Sequence, residues 1–324
     1  MNGILSAFLM IITFSLSFIL IRKIELTYTT VYINLIRAII GFSCFTIYNL
    51  ISGRFHQIFD LNLQIWVILG ASIIFSVVLG DTAYFKCQKL IGPTNAATFA
   101  ITSPIFTMIL AILILRDSFQ WILLFSSIIT GTGVYLLIHL QEKSATDHHS
   151  MVAQLKKKAD LNKKTLLLGT LFGILASLAW SFATIFTEMG MERSEEILHI
   201  GSDITMVTNI IRYFVATTCM GGWWTFYRSK KKKHRQYNQN SGSTWRSVLI
   251  LLLSAILGTF LGEIFFGIAI VQTGSTFIAI MGSTLPVFTI PLNYLINKEK
   301  VDLKSLPGIL VTIVGVIVLI IVSA

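Results

Sequence analysis

Apolar runs close to 20 residues long recur down the whole chain, separated by short stretches that gather Gly, Pro and charge. A helix of about that length crosses a hydrocarbon core of roughly 30 Å, whereas barrel strands would be about half as long and alternating. The pattern therefore predicts an all-α membrane protein with ten transmembrane helices, at 3–21, 30–51, 65–86, 93–115, 119–139, 166–188, 203–227, 247–270, 275–296 and 305–323. The first run begins at Gly3 with no basic residue before it and outlasts a signal-peptide core, so it reads as a retained helix. Two segments, 141–164 and 230–243, are too polar to bury and read as mobile.

A shift of 182 residues aligns 79–138 with 261–320 without a gap, and 18 of those 60 positions are identical. Many matches are Leu or Ile, which an apolar composition supplies by itself. The rarer ones carry the argument: Gly80/Gly262, Gly92/Gly274, Pro104/Pro286, Phe106/Phe288 and Gly133/Gly315. Charge type is kept at Asp81/Glu263 and at Arg116-Asp117/Lys298-Glu299, while Arg37 and Arg212 each fall in the second helix of their unit. The chain then divides into a first five-helix repeat (1–140), a basic polar linker (141–164) and a second five-helix repeat (165–324). An odd helix count makes the second copy enter the membrane from the opposite side. Such inverted repeats are the usual basis of secondary transporters, because each half can adopt the other's conformation.

Composition agrees with the pattern: 54% hydrophobic, 12% charged, mean hydropathy +0.77. A soluble domain carries about twice that charged fraction. The net charge of +10 would suit nucleic acid if it formed a face, but it sits in loops, so nucleic acid is not an expected partner. Loops after odd-numbered helices hold 20 Lys and Arg, and loops after even-numbered helices hold only Arg54, Arg116 and Arg193. The positive-inside rule then puts both termini outside, in a multi-pass protein of the cell membrane. Cys44, Cys87 and Cys219 are isolated within apolar segments and form neither a metal motif nor a disulfide framework. Asp147-His148-His149 has no second cluster near it, so no metal and no cofactor are expected.

Leu79-Gly80-Asp81-Thr82-Ala83-Tyr84-Phe85 through Ile91-Gly92-Pro93-Thr94-Asn95-Ala96, with Ser103-Pro104, Arg116-Asp117-Ser118 and Gly131-Thr132-Gly133-Val134, resembles the EamA-type proteins of the drug/metabolite transporter superfamily. The second half repeats the set at Leu285-Pro286, Lys298-Glu299-Lys300 and Val314-Gly315-Val316, and Ala179-Trp180-Ser181 looks like the family's first-helix tryptophan. Arg37 and Arg212 look like its second-helix arginines. The resemblance spans essentially the whole chain. It implies a ten-helix permease for amino acids, metabolites or drugs, often outward-directed, with a central cavity lined by helices 1, 3, 4, 6, 8 and 9. It also implies cytoplasmic termini, opposite to the loop charge, and a tryptophan where the first unit has Phe14.

Charged groups inside a bilayer cost roughly 3 kcal/mol or more each, so they need a partner or a watery cavity. Asp81 and Glu263 are equivalent in the repeat, and Arg37 and Arg212 reach matching depths. Two ion pairs are expected, Arg37–Asp81 and Arg212–Glu263, either as gates and proton-exchanging groups or as permanent struts. Pro104 and Pro286 are expected to kink their helices, with Thr102, Ser103, Ser283 and Thr284 satisfying freed carbonyls or lining a cavity. Tyr84, Trp180 and Phe266 can form an aromatic wall for a substrate or serve ordinary packing, and Trp223-Trp224 reads as an interfacial belt. The expected partners are a small organic solute, the bilayer, a coupling proton or counter-solute, and, from Gly131-x-Gly133, a second copy in a homodimer. A non-transporting scaffold or assembly factor on the same fold and a membrane enzyme are the alternatives. The enzyme reading lacks the paired acidic or histidine–acid motifs such chemistry uses.

Overall fold

The computed structural model describes residues 2–24, 27–91, 96, 99, 101–148, 163–233, 245–297 and 306–323. These residues are overwhelmingly helical, and no strand occurs among them. Helix α1 covers Gly3–Ile24 and α2 covers Thr30–Ile51, started by the Thr29 side chain, which accepts from the Tyr32 amide. A 3-10 turn at Phe55–Phe59 leads to α3 (Leu63–Ile73), whose cap is Asn62. Then α3 passes through a π-helical stretch, Ile74–Asp81, into α4 (Thr82–Ile91). Next come α5 (Ser103–Leu110), extended by a π-helical stretch at Ala111–Leu115, and α6 (Trp121–His148). The second half contains α7 (Lys163–Leu198) and, after a 3-10 turn, α8 (Ile204–Lys233). Helix α9 (Trp245–Ser254) continues through a π-helical stretch at Ala255–Gly262 into α10 (Glu263–Ser283), followed by α11 (Leu285–Asn297) and α12 (Leu306–Ser323).

Five of the described helices are long and apolar enough to cross a membrane: Gly3–Ile21, Thr30–Ile51, Leu63–Gln88, Thr165–Leu198 and Trp245–Ser283. Ser103–Leu115, Trp121–Leu137 and Leu306–Ile321 are shorter apolar helices. Large apolar side chains point outward along them, such as Ile51, Leu63, Leu113 and Ile321, each more than two-thirds exposed. An apolar exterior of that extent fits lipid rather than water. Hydroxyls on the helices bond their own backbone, as Thr13 to the Leu9 carbonyl, Thr208 to Ile204 and Thr312 to Gly308.

Two compact units result, each drawing on both halves of the chain: Met1–Val78 with Phe186–Gln272, and Leu79–Ile185 with Thr273–Ala324. In the first unit α8 lies along α2, and α1 lies along α9 and its π-helical extension. Phe45 stacks on Tyr213 and meets the Phe260 ring edge-on at the centre of this packing. Asn49 donates to the Phe45 and Met206 carbonyls, and Arg54 pairs with Asp203 between the end of α2 and the start of α8. In the second unit α6 and α12 pack backbone to backbone. A Cβ on Gly133 would lie 2.4 Å from the Thr312 amide nitrogen, one on Gly315 would lie 2.3 Å from Thr130 Oγ1, and one on Gly308 would lie 2.4 Å from the Leu137 amide nitrogen. Gly131 likewise faces Ile101 of the same unit. These glycines thus serve packing inside the chain.

Three interruptions shape the helices near the site. Gly274 has φ 81° and ψ 165°, a conformation essentially confined to glycine, and it breaks α10 between the expected spans 247–270 and 275–296. Pro104 stands in the first turn of α5 and Pro286 is the second residue of α11, each just after a turn, where a missing N–H costs little. The interior proline is Pro291, in α11. Gly92 to Asn95, most of the linker, Lys298-Glu299-Lys300 and most of 230–243 lie outside the described residues.

Candidate functional site

The π-helical stretches Ile74–Asp81 and Ala255–Gly262 occupy repeat-equivalent positions, and each delivers its carboxylate at the same point, Asp81 as its last residue and Glu263 just after it. A π-bulge adds one residue to a turn and is frequent at functional sites. One turn further on, each half places an aromatic ring, Tyr84 and Phe266.

In the first unit Glu263 meets Arg212. Arg212 Nη1 donates to Glu263 Oε2 at 2.7 Å and to Asn209 Oδ1 at 2.7 Å, and its Nε donates to Ser72 Oγ at 3.1 Å. The Ser72 hydroxyl in turn donates a hydrogen bond to the Leu69 carbonyl. The Phe266 ring covers the guanidinium, 5.9 Å from Cζ to the ring centroid. Arg212 is 2% exposed and Glu263 13%, so both charges are largely desolvated and depend on one another and on these hydrogen bonds. The expected pairing of Arg212 with Glu263 is present.

Arg37 of α2 lies along the second π-helical stretch, where its Nε donates to Thr259 Oγ1 at 3.1 Å. Phe14 of α1 packs against the backbone of Gly262, next to Glu263. In the second unit Asp81 Oδ1 accepts from Trp180 Nε1 at 3.2 Å. The Tyr84 ring packs on Trp180 at 5.0 Å. Phe14 and Trp180 therefore attend equivalent points of the two halves. Arg37 and Asp81 belong to different units, and their pairing stays a proposal.

The hydroxyls before the prolines satisfy carbonyls. Thr102 donates to Phe99, Ser283 to Ile280 and Thr284 to Met281. Ser103 holds α5 to α7: its carbonyl accepts from Ser181 at 3.0 Å, and the two hydroxyls lie 3.3 Å apart. Trp224 packs with Tyr32 and Tyr227, an aromatic cluster of the kind found at a bilayer interface. No group of three or more His, Cys, Asp or Glu that could hold a metal occurs among the described residues, and His149 lies outside them.

Asn209, Ser72 and Thr259, which complete the arginine environments, escaped the reading of the sequence. So did Glu188, taken as the last residue of a span, whereas α7 continues to Leu198 and leaves Glu188 6% exposed. The usable signals were Asn209 three residues before Arg212, and Ser72/Ser254, which match under the same 182-residue shift.

The model of the EamA-like transporter family matches residues 1–139 and again 167–321. The chain belongs to the EamA-like transporter family. This EamA-like protein is a multi-pass membrane transporter, as the name of a curated relative agrees: an uncharacterized transporter of Archaeoglobus fulgidus is 21% identical over 259 residues, covering 80% of this chain and 77% of its own. A crystallographically solved protein superposes with a TM-score of 0.71 over 99% of the EamA-like chain and 98% of its own, at 12% identity, a likeness of fold.

Proposed function

We propose that the protein is a secondary transporter of small organic solutes (amino acids, metabolites or drugs), an exporter by direction, working by alternating access. In this reading ten helices form two inverted five-helix repeats, 1–140 and 165–324, with 141–164 as linker. The observation that carries it is the repeated π-helical stretch ending at a carboxylate in both halves, within a chain whose two halves each match the same transporter family. Asp81 and Glu263 are the coupling groups, for a proton or a counter-solute, and Arg37 pairs with Asp81 as Arg212 does with Glu263. Tyr84, Trp180 and Phe266 line the solute path, and the helix breaks at Pro104 and Pro286 open backbone to it. Loop charge supports a reading with both termini outside the cell membrane.

The test is uptake by proteoliposomes under an imposed pH gradient, with pooled labelled amino acids and metabolites, comparing wild type with Asp81→Asn and Glu263→Gln. Flux that follows the gradient and fails in either variant is expected. Flux indifferent to the gradient and intact in both variants would leave a facilitator or exchanger and reduce the acids to structure. Absence of flux for every solute would favour the scaffold reading.

A further inference from the structure

The Arg212 network holds one donor group too many for the acceptors it has. Arg212 Nη1 contacts Asn209 at 2.7 Å, which requires the amide oxygen, since a guanidinium has no acceptor. That fixes the Asn209 Nδ2 group on the other side. Asn209 is 0% exposed, and its Nδ2 has no hydrogen-bond partner among the described residues. A fully buried, unpaired amide donor beside a buried guanidinium is costly, and it fits a site whose acceptor arrives with a ligand. One turn away the helices close: a Cβ on Gly267 would lie 2.3 Å from Thr205 Cγ2.

The charges select the chemistry. Arg212 and Glu263 sum to zero in a desolvated place. A monoanionic carboxylate that takes the place of Glu263 keeps that sum once Glu263 is neutral. A phosphate dianion would leave excess negative charge, and a solute with no anionic group would strand the guanidinium. The flat guanidinium fork, covered by Phe266, matches a carboxylate.

We propose that Arg212 and Asn209 form a carboxylate-binding subsite in which Glu263 is the resident competitor, making the substrate a carboxylate-bearing anion or zwitterion. This rests on the transport reading and deepens it. A proton from solvent goes to the Glu263 carboxylate, the Arg212–Glu263 pair opens, and the solute carboxylate accepts from Arg212 and from Asn209 Nδ2. Among the described residues, the charged groups placed beside Glu263 by hydrogen bonds to it or to its π-helical stretch are Arg212 from α8 and, one turn back, Arg37 from α2. α1 contributes Phe14 and Ser17, and α3 contributes Ser72.

The experiment measures binding to the purified protein in lipid nanodiscs, so it does not require flux. The probes are leucine, phenylalanine, lactate and benzoate, each against its amide, at mildly acid and mildly alkaline pH. Carboxylates alone should bind, wild type more tightly in acid. Glu263→Gln should bind roughly tenfold more tightly than wild type at alkaline pH and lose the pH dependence, because the competitor is gone. Asn209→Leu, which leaves every charge in place, should bind several-fold more weakly and serves as the deciding variant if Glu263→Gln does not fold. Equal binding of amides, no binding by any carboxylate, no gain in Glu263→Gln or unchanged affinity in Asn209→Leu would each overturn the proposal. Carboxylate binding without proteoliposome flux would remove the transport reading and leave the subsite. Flux without carboxylate preference would do the reverse.

Discussion

Arg212 and Glu263 each stand where a lone charge could not, so the stability of the pair is conditional. Removing one partner from a buried pair typically costs about 3–5 kcal/mol, while replacing both with apolar groups of similar volume is often neutral. Arg212→Met and Glu263→Leu should each lower the melting temperature of the detergent-solubilised protein sharply, and the double variant should recover most of the loss. A double variant no more stable than the worse single one would show that the two side chains act separately. Asp81 answers to a different donor. Trp180→Phe keeps the ring against Tyr84 and removes the indole N–H, and should cost about 1–3 kcal/mol by the same melting assay. The four charges were readable in the sequence because charge is conspicuous in an apolar run. Asn209, Ser72 and Thr259 were not, because hydroxyls and amides in such runs usually bond their own helix, and nothing in the residue type tells which ones turn outward.

Helix ends followed different rules from membrane spans. The expected spans ended where apolarity ended, yet α6 continues to His148, α7 begins at Lys163 and runs to Leu198, and α8 continues to Lys233. Lys, Glu and Ala are good helix formers in water, so the helix outlives its apolar stretch, and hydropathy reports only the lipid-facing part. The π-helical stretches leave no mark in composition, and only the repeated glycine–acid pairs Gly80-Asp81 and Gly262-Glu263 hinted at them. Deleting Leu257 should return Ala255–Gly262 to an α-helix and leave Glu263 near its present angle about the helix, because the π turn holds one residue more than an α turn. The deletion should then keep the ion pair and most of the melting temperature, and a loss as large as that of Glu263→Leu would show that the π-helical stretch itself aims Glu263. Close helix contact gives a second check. Gly133→Ala drives a methyl into the Thr312 backbone and should destabilise by about 1–3 kcal/mol, while Gly222→Ala, with nothing within 4 Å of the new carbon, should be neutral or slightly stabilising.

Taken together, the charges give the molecule a polarity. The Arg54–Asp203 pair joins the loop after α2 to the loop before α8, so those two loops share a side. Its side chains are 32% and 39% exposed, and such a pair adds at most about 1 kcal/mol, so its interest lies in where it puts the loops. Those loops are poor in Lys and Arg, while the linker and the 228–246 segment are rich in them. The cytoplasmic side retains basic loops during insertion, a rule that would put the Arg54–Asp203 side outside and the linker inside. In a background with Cys44, Cys87 and Cys219 replaced by Ala, His56→Cys should react with a membrane-impermeant maleimide on intact cells. Lys157→Cys should react only after permeabilisation. The reverse labelling would mean that loop charge is overruled during insertion and that the chain shares the cytoplasmic termini its family resemblance implies. The inward basic loops would then face out, and an acid-outside gradient would load the opposite end of the Glu263 path.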